Sequence, residues 1–202
     1  MAVLSAYAFW PFHEFFASDS NHQHPKLILF HVFVSQVGPM AFDVGCLIGN
    51  ILLAFIVSSE SDRQQHGVEG SGRSGRVVGE DRRGWILEAV KRFWVRFSSE
   101  MRSQALSSES FGLHSEGEIA NWMKELWDGS LGFAAICMVR LTIGQLHYPP
   151  LEALPAKSIL NCSLRILWLA ESILTLPPTD VHDLVEIVRE AMDKDLKVNV
   201  QL

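Results

Sequence analysis

The residue best suited to chemistry is Arg140, the one charged side chain in the apolar segment 131–146. A guanidinium is a planar fork of donors that binds carboxylate or phosphate groups through paired hydrogen bonds. The same side chain can instead extend to solvent or pair with an acid, so a purely structural role stays open. His147 follows the segment, where the carboxyl end of a helix dipole favours an imidazolium.

Metal-binding patterns are weak in this sequence. His22 and His24 are two residues apart and could contact one ion, but a site needs further ligands, so a solvated loop is favoured. Cys46, Cys137 and Cys162 are far apart in the chain, lie in apolar surroundings and lack metal-ligand spacing. This pattern predicts no metal site and three buried free thiols in a reducing compartment.

The apolar segment 40–58 follows the turn-forming pair Gly38-Pro39. Asp43 stands at its entrance, and we expect its carboxylate to accept backbone N–H groups at a helix start rather than to bind metal. The segment is near the lower length limit for a membrane span, but Asp43 and Asn50 are costly in lipid. The sequence therefore favours a buried core helix.

Two blocks of sequence carry a family resemblance. Residues 38–50 read Gly-Pro-Met-Ala-Phe-Asp-Val-Gly-Cys-Leu-Ile-Gly-Asn, and residues 126–140 read Leu-Trp-Asp-Gly-Ser-Leu-Gly-Phe-Ala-Ala-Ile-Cys-Met-Val-Arg, followed by Gly144 and His147. In this order, the blocks resemble methylthioribose kinases, which belong to the aminoglycoside-phosphotransferase branch of the protein-kinase-like fold. The resemblance covers roughly residues 36–176. The positions that carry its structural motif are Gly38, Pro39, Asp43, Gly45 and Asn50.

The resemblance implies transfer of the γ-phosphate of ATP, with Mg, to the 1-hydroxyl of 5-methylthioribose in methionine salvage. It also implies that Arg140 matches the first of two family arginines that reach the substrate and the transferring phosphate, whereas Leu141 replaces the second. His147 matches a family histidine and is the other candidate substrate-binding residue. A homodimer is a further expectation from the family.

Several family features are missing from this sequence. Counting back from Gly38-Pro39, the two magnesium-binding acids fall on His31 and Phe33, neither of which supplies a carboxylate. The catalytic His-Gly-Asp loop and the glycine-rich nucleotide loop are also not found. We therefore expect a truncated kinase that is inactive alone, with no catalytic residue and no bound ATP or Mg, and an atypical segment at 1–35.

The hydrophobic pattern predicts a mainly α domain over 36–194, the helical large-lobe portion of a kinase-like fold, with at most a short β remnant near 26–34. Polar composition predicts a disordered loop at 59–83, a loop or frayed helix end at 98–114 and a frayed tail at 195–202. Helices are expected at 85–97, after a capping box at Ser115 and Glu118, at 156–176 and after Thr179 as N-cap, with a break at 128–130.

Bulk composition limits the partners. A net charge of −6 over 202 residues argues against nucleic acid as the main partner, because phosphate binding requires a basic face. We expect a cytoplasmic protein that does not bind membranes. The alternatives are a non-catalytic helical interaction protein derived from the kinase large lobe and a membrane-associated protein that uses residues 1–17 or 40–58.

Overall fold

The computed structural model describes residues 39–68, 73–107, 111–112, 115–144 and 148–194. Within these ranges it contains six α-helices and no strand. The helices are α1 (Met40–Val68), α2 (Arg73–Ser107), α3 (Glu116–Ile143), α4 (Pro149–Glu152), α5 (Ala156–Thr175) and α6 (Val181–Asp193). The prediction of a mainly α fold is confirmed. The segments predicted at 1–35, at 26–34 and at 195–202 lie outside the described residues.

The helices pack around α1, α3 and α5, with α1 lying along α3 and α3 along α5. Helix α6 covers α5, and α2 contacts α1, α3 and α6. Burial of apolar side chains drives this arrangement, at about 1.5–3 kcal/mol for each fully buried Leu or Ile. The largest fully buried side chains include Ile48, Leu52, Leu53, Ile56, Leu131, Met138, Ile166, Leu169, Ile173 and Leu184.

Two glycines set the close approach of α1 to α3. A Cβ added at Gly45 would lie 2.4 Å from the carbonyl oxygen of Ser130, and one added at Gly49 would lie 2.8 Å from that of Ala134. Residues four apart share one helix face, so both glycines turn toward α3. The backbones of the two helices therefore touch where any larger residue would hold them apart.

Helix α1 continues through the start of the predicted loop at 59–83, and α2 begins at Arg73. Residues 59–68 and 73–83 are therefore helical, which corrects the loop prediction for them. Residues 69–72 are not described. Ser59 is buried and donates its hydroxyl to the carbonyl oxygen of Phe55 (2.7 Å). Glu60 is also buried and accepts from the hydroxyl of Ser158 (3.0 Å) on α5. Polar side chains that find partners this way do not end a helix.

The break predicted at 128–130 is also wrong, because α3 runs through it without interruption. Lys124 forms an ion pair with Asp128 (2.6 Å), and Ser130 donates to the carbonyl oxygen of Leu126 (2.7 Å). Both interactions link residues one turn apart, and the ion pair supports the helix. Similarly, α2 extends into the predicted loop at 98–114 and ends at Ser107, because Met101 and Ala105 are buried against α3.

The capping box is confirmed at the start of α3. The backbone N–H of Glu118 bonds the hydroxyl of Ser115 (3.2 Å), and the backbone N–H of Ser115 bonds the carboxylate of Glu118 (2.9 Å). The cap predicted at Thr179 is displaced by one residue. Asp180 is the N-cap of α6, since its carboxylate accepts from the backbone N–H groups of His182 (2.7 Å) and Asp183 (2.9 Å).

Within the part of the chain that the structure describes, two segments are long and apolar enough to cross a membrane by length and composition, Met40–Ser61 and Glu116–Ile143. Within the bundle, 56% of the apolar window of the first and 39% of that of the second is buried. Ile48, Leu52 and Ile56 of the first segment are completely covered by protein. The first segment thus forms the core of the bundle, as a buried helix is expected to do.

Candidate functional site

Arg140 lies in the last turn of α3 and its side chain is exposed. The helix ends just beyond it, where the backbone N–H of Gly144 bonds the carbonyl oxygen of Arg140 (3.0 Å). Among the described residues no carboxylate forms an ion pair with its guanidinium. The side chain of Arg140 therefore extends to solvent and does not form a structural ion pair with a described carboxylate. The donor fork is accessible to an anion from solution.

Two thiols lie beside this arginine. Cys46 of α1 and Cys137 of α3 are neighbours across the seam between the two helices, where Asn50 contacts both residues. Each thiol influences the pKa of the other, and the charge of Arg140 acts on both. Burial raises the pKa of Cys137 to about 12, and burial likewise raises the pKa of Cys46. Both side chains therefore stay protonated at neutral pH. They are only half-buried, whereas Cys162 is fully buried in the core, so the prediction of three buried thiols holds for Cys162 alone.

Asn50 connects the two thiol-bearing helices. Its Nδ2 donates to the carbonyl oxygen of Cys46 (2.8 Å), one turn earlier in α1, and lies 4.0 Å from Sγ of Cys137. The amide thus spans the seam between α1 and α3 on the exposed side. Gly45 and Gly49 hold the same seam closed from the inner side.

Asp43 lies in the first turn of α1, exposed to solvent. The structure gives its carboxylate no bond to a backbone N–H of the described chain, so the predicted capping role is wrong. The reason is position: α1 begins at Met40, and the carbonyl oxygen of Pro39 bonds the backbone N–H of Phe42 (2.8 Å). Asp43 is already the fourth residue of the helix, past the N-cap position. Its negative charge acts instead on Cys46.

The remaining predicted site residues separate into two groups. Gly38, His147, His31 and Phe33 lie outside the described residues. Pro39 immediately precedes α1, and Gly45 contacts α3. Sequence reasoning missed the pairing of Cys46 with Cys137, since only the packing of α1 on α3 brings them together. The two glycines at helical spacing in residues 38–50 were the available signal for that packing.

The site is an exposed polar face along the seam of α1 and α3: Asp43, Cys46 and Asn50 on one helix, Cys137 and Arg140 on the other. Its chemistry is that of a cationic fork beside two protonated thiols. Over the described ranges, no group of three or more His, Cys, Asp or Glu side chains could hold a metal ion. The face can bind an anion through Arg140, and it offers nucleophilic sulfur once a thiol loses its proton.

Fold and site together define a helical scaffold that presents an arginine at the end of a core helix. The chain is 29% identical over 162 residues to the methylthioribose kinase of Pectobacterium atrosepticum, which is 76% of this chain and 36% of that protein. It is 27% identical over 161 residues to that of Yersinia pseudotuberculosis, with the same shares of both chains. No family model matches the chain, and no solved structure matches it.

These alignments identify the chain as a distant and partial match to the methylthioribose kinases, which confirms the resemblance carried by the two sequence blocks. The chain spans about a third of the length of these relatives (36%). The relatives that the chain resembles are kinases, which are a class of transferases.

Proposed function

We propose that this chain is a partial methylthioribose kinase that does not turn over alone. The reaction assigned to the complete enzyme is transfer of the γ-phosphate of ATP to the 1-hydroxyl of 5-methylthioribose in methionine salvage. Within it, this chain supplies the helical scaffold and a substrate-binding arginine. The observation that carries the proposal is the exposed guanidinium of Arg140, held on a helix whose sequence matches the family.

Arg140 acts in this proposal by binding one anionic group. Phosphoryl transfer depends on positioning and on stabilising the charge of the transferring group, which an arginine fork can do through two parallel hydrogen bonds. Leu141, which replaces the second arginine, is half-buried and offers no donor. A single fork should therefore bind a phosphate monoester weakly. His147 stays a second candidate for contact with the sugar.

The described residues do not fit Mg-ATP. When bound, the magnesium ion would neutralise the phosphate charge, and it needs several oxygen ligands to stay in place. On this face Asp43 is a lone carboxylate, and no cluster of three potential ligands exists in the ranges that the structure covers. His31 and Phe33 cannot provide the missing acids. We therefore assign no catalytic step to these residues.

The test measures phosphate transfer from labelled ATP to 5-methylthioribose by the purified chain, together with binding of 5-methylthioribose 1-phosphate by NMR titration. We expect transfer at background and weak binding that Arg140→Ala abolishes. Arg189→Ala is the matched control, because Arg189 is also exposed but pairs with Glu186 on the distant helix α6. Turnover above background that is lost in Arg140→Ala would contradict the inactive assignment. Binding that is unaffected by the substitution would contradict the role of Arg140.

One observation favours a second function, that of a non-catalytic interaction protein. Ile136 and Ile143 flank Arg140 at helical spacing on α3 and expose 49% and 66% of their surface. Apolar side chains grouped on one exposed face are typical of protein contacts. Sedimentation analysis of the chain and of an Ile136→Ser/Ile143→Ser variant tests whether this face makes protein contacts. A dimer that dissociates in the variant would favour the interaction role and the expected homodimer.

We also propose a cytoplasmic location without membrane or nucleic-acid binding, in line with methionine salvage and with the net charge of −6. Cell fractionation of a tagged chain tests this directly. Recovery in a carbonate-resistant membrane fraction would contradict it and would favour α1 or α3 as a membrane span.

A further inference from the structure

We propose that Cys46 and Cys137 react with small anionic disulfides, such as oxidised glutathione, and thereby form a disulfide bond with each other. This modification site is independent of phosphoryl transfer. It lies on the exposed seam between α1 and α3, and its product would be a covalent bond between the two helices beside Arg140.

The packing of α1 on α3 makes the two cysteines neighbours. Cys46 directly follows Gly45, and Cys137 lies three residues after Ala134, which the backbone of Gly49 touches. The close backbone approach at these glycines brings the two cysteines to facing positions on one narrow seam. Asn50 fixes the register, since its amide contacts the backbone of Cys46 and lies 4.0 Å from Sγ of Cys137. A disulfide needs Cα atoms roughly 4.4–6.8 Å apart, a separation that only closely packed helices provide.

The two thiols differ in a way that sets the order of reaction. Burial raises the pKa of both thiols, that of Cys137 to about 12, and the neighbouring Cys137 thiol partly offsets the rise at Cys46. Cys46 should therefore attack first. Arg140 is the cation on this face and Asp43 the anion, so a disulfide that carries carboxylates can bind Arg140 while its sulfur atoms reach Cys46.

The chemistry balances in two exchanges. The Cys46 thiolate attacks one sulfur of the small disulfide, forms a mixed disulfide and releases one thiolate, which takes up the proton that Cys46 lost. Cys137 then loses its proton and attacks the sulfur of Cys46, so that the protein disulfide forms and the second small thiol leaves with that proton. The protein loses two electrons and two protons, and the small disulfide gains both. No further oxidant is needed.

The experiment incubates the purified chain with oxidised glutathione and maps the products by non-reducing peptide mass spectrometry. We expect one cross-linked peptide pair that contains Cys46 and Cys137, with Cys162 still a reduced thiol. Cys162→Ala should give the same cross-link, whereas Cys46→Ser and Cys137→Ser should give none. Circular dichroism checks the fold of each variant, and the mapping of the unaltered chain tests the pairing without any substitution.

A second measurement tests the preference for anionic disulfides. Arg140→Ala should slow cross-linking by oxidised glutathione several-fold more than cross-linking by neutral hydroxyethyl disulfide, because only the anionic disulfide loses a binding partner in addition to the effect on the thiols. Arg189→Ala should alter neither rate. Glutathione adducts on Cys46 or Cys137 without a cross-link would overturn the proposal, as would no reaction with either disulfide. Equal slowing by Arg140→Ala with both disulfides would overturn the assigned role of Arg140.

Discussion

The contact between Gly45 and α3 allows a prediction whose sign can be worked out from the structure. In Gly45→Ala the new Cβ would lie 2.4 Å from the carbonyl oxygen of Ser130, 2.6 Å from Cβ of Phe133 and 3.1 Å from the backbone nitrogen of Ala134. None of these atoms can move away by a change of side-chain rotamer. The substitution therefore forces α1 and α3 apart along the largest interface of the bundle.

Two opposing effects determine the magnitude. Inserting a methyl group into a packed interface costs roughly 1–3 kcal/mol. Replacing glycine by alanine inside a helix returns roughly 0.8–1.0 kcal/mol through backbone entropy and propensity. Because the clashing atoms belong to the backbone or are Cβ atoms, we expect the upper part of the packing range and a net loss of roughly 1–2 kcal/mol. Gly49→Ala should act in the same direction.

Gly132→Ala is the matched control. Gly132 lies on α3, but a Cβ added there would meet no atom within 4 Å, so only the propensity gain of roughly 0.5–1 kcal/mol applies. Urea unfolding followed by circular dichroism measures the free energy of unfolding for each variant. We expect Gly45→Ala to be less stable than the unaltered chain and Gly132→Ala to be more stable. If Gly45→Ala were as stable as Gly132→Ala, the backbone contact between α1 and α3 would be refuted.

Two further predictions concern other contacts of the bundle. Asp180→Ala should lower the free energy of unfolding by about 1 kcal/mol, the usual value of an N-cap. The backbone N–H groups of Asp183 and His182 lower the pKa of Asp180 in the folded protein. The cap contribution is therefore complete above the unfolded pKa of about 3.9 and disappears as the pH falls through the folded pKa. Urea unfolding in neutral and in acidic buffer should show that the stability difference between the unaltered chain and Asp180→Ala vanishes in acid. Trp127→Phe should cost roughly 1–3 kcal/mol, because buried Nε1 of Trp127 donates to the carbonyl oxygen of Pro178 (2.9 Å), which would lose that donor; an unchanged urea midpoint would contradict this contact.

Helical periodicity predicted most of the elements correctly. The pattern of Val181, Leu184, Val185 and Val188 placed the inner face of α6, and all four side chains are buried. The capping box at Ser115 fixed the start of α3. These signals are local, since a helix with one apolar face is specified by spacing alone and a cap by a few neighbouring residues.

Helix ends were less predictable because tertiary contacts decided them. Ser59 and Glu60 have the polarity of a loop, but α5 supplies a hydroxyl to the carboxylate and the helix continues. Glycine commonly ends helices, yet α3 continues through Gly129. Helix α1 packs closely against α3 at this position, where an added Cβ would lie 3.2 Å from Cβ of Ala41. Composition alone does not reveal such partners.

The candidate site was only half predictable. Arg140 was visible as a lone charge in an apolar segment, a pattern that marks an exposed edge of a buried helix. Neither the pairing of Cys46 with Cys137 nor the missing cap at Asp43 could be read from spacing. The first depends on which helices touch, and the second on where the first turn begins relative to Pro39.

The two blocks that carry the family resemblance lie on the two helices that pack together most extensively, α1 and α3. Their small residues form the seam: Gly45 against Ser130 and Gly49 against Ala134. Arg140 follows on the second helix, so the position of its guanidinium depends on this close packing and not on a loop. A substitution that separates the helices should therefore weaken anion binding at Arg140 without touching it, and NMR titration of Gly45→Ala with 5-methylthioribose 1-phosphate measures that effect. Unchanged affinity in a variant of clearly reduced stability would show that α3 alone positions the arginine.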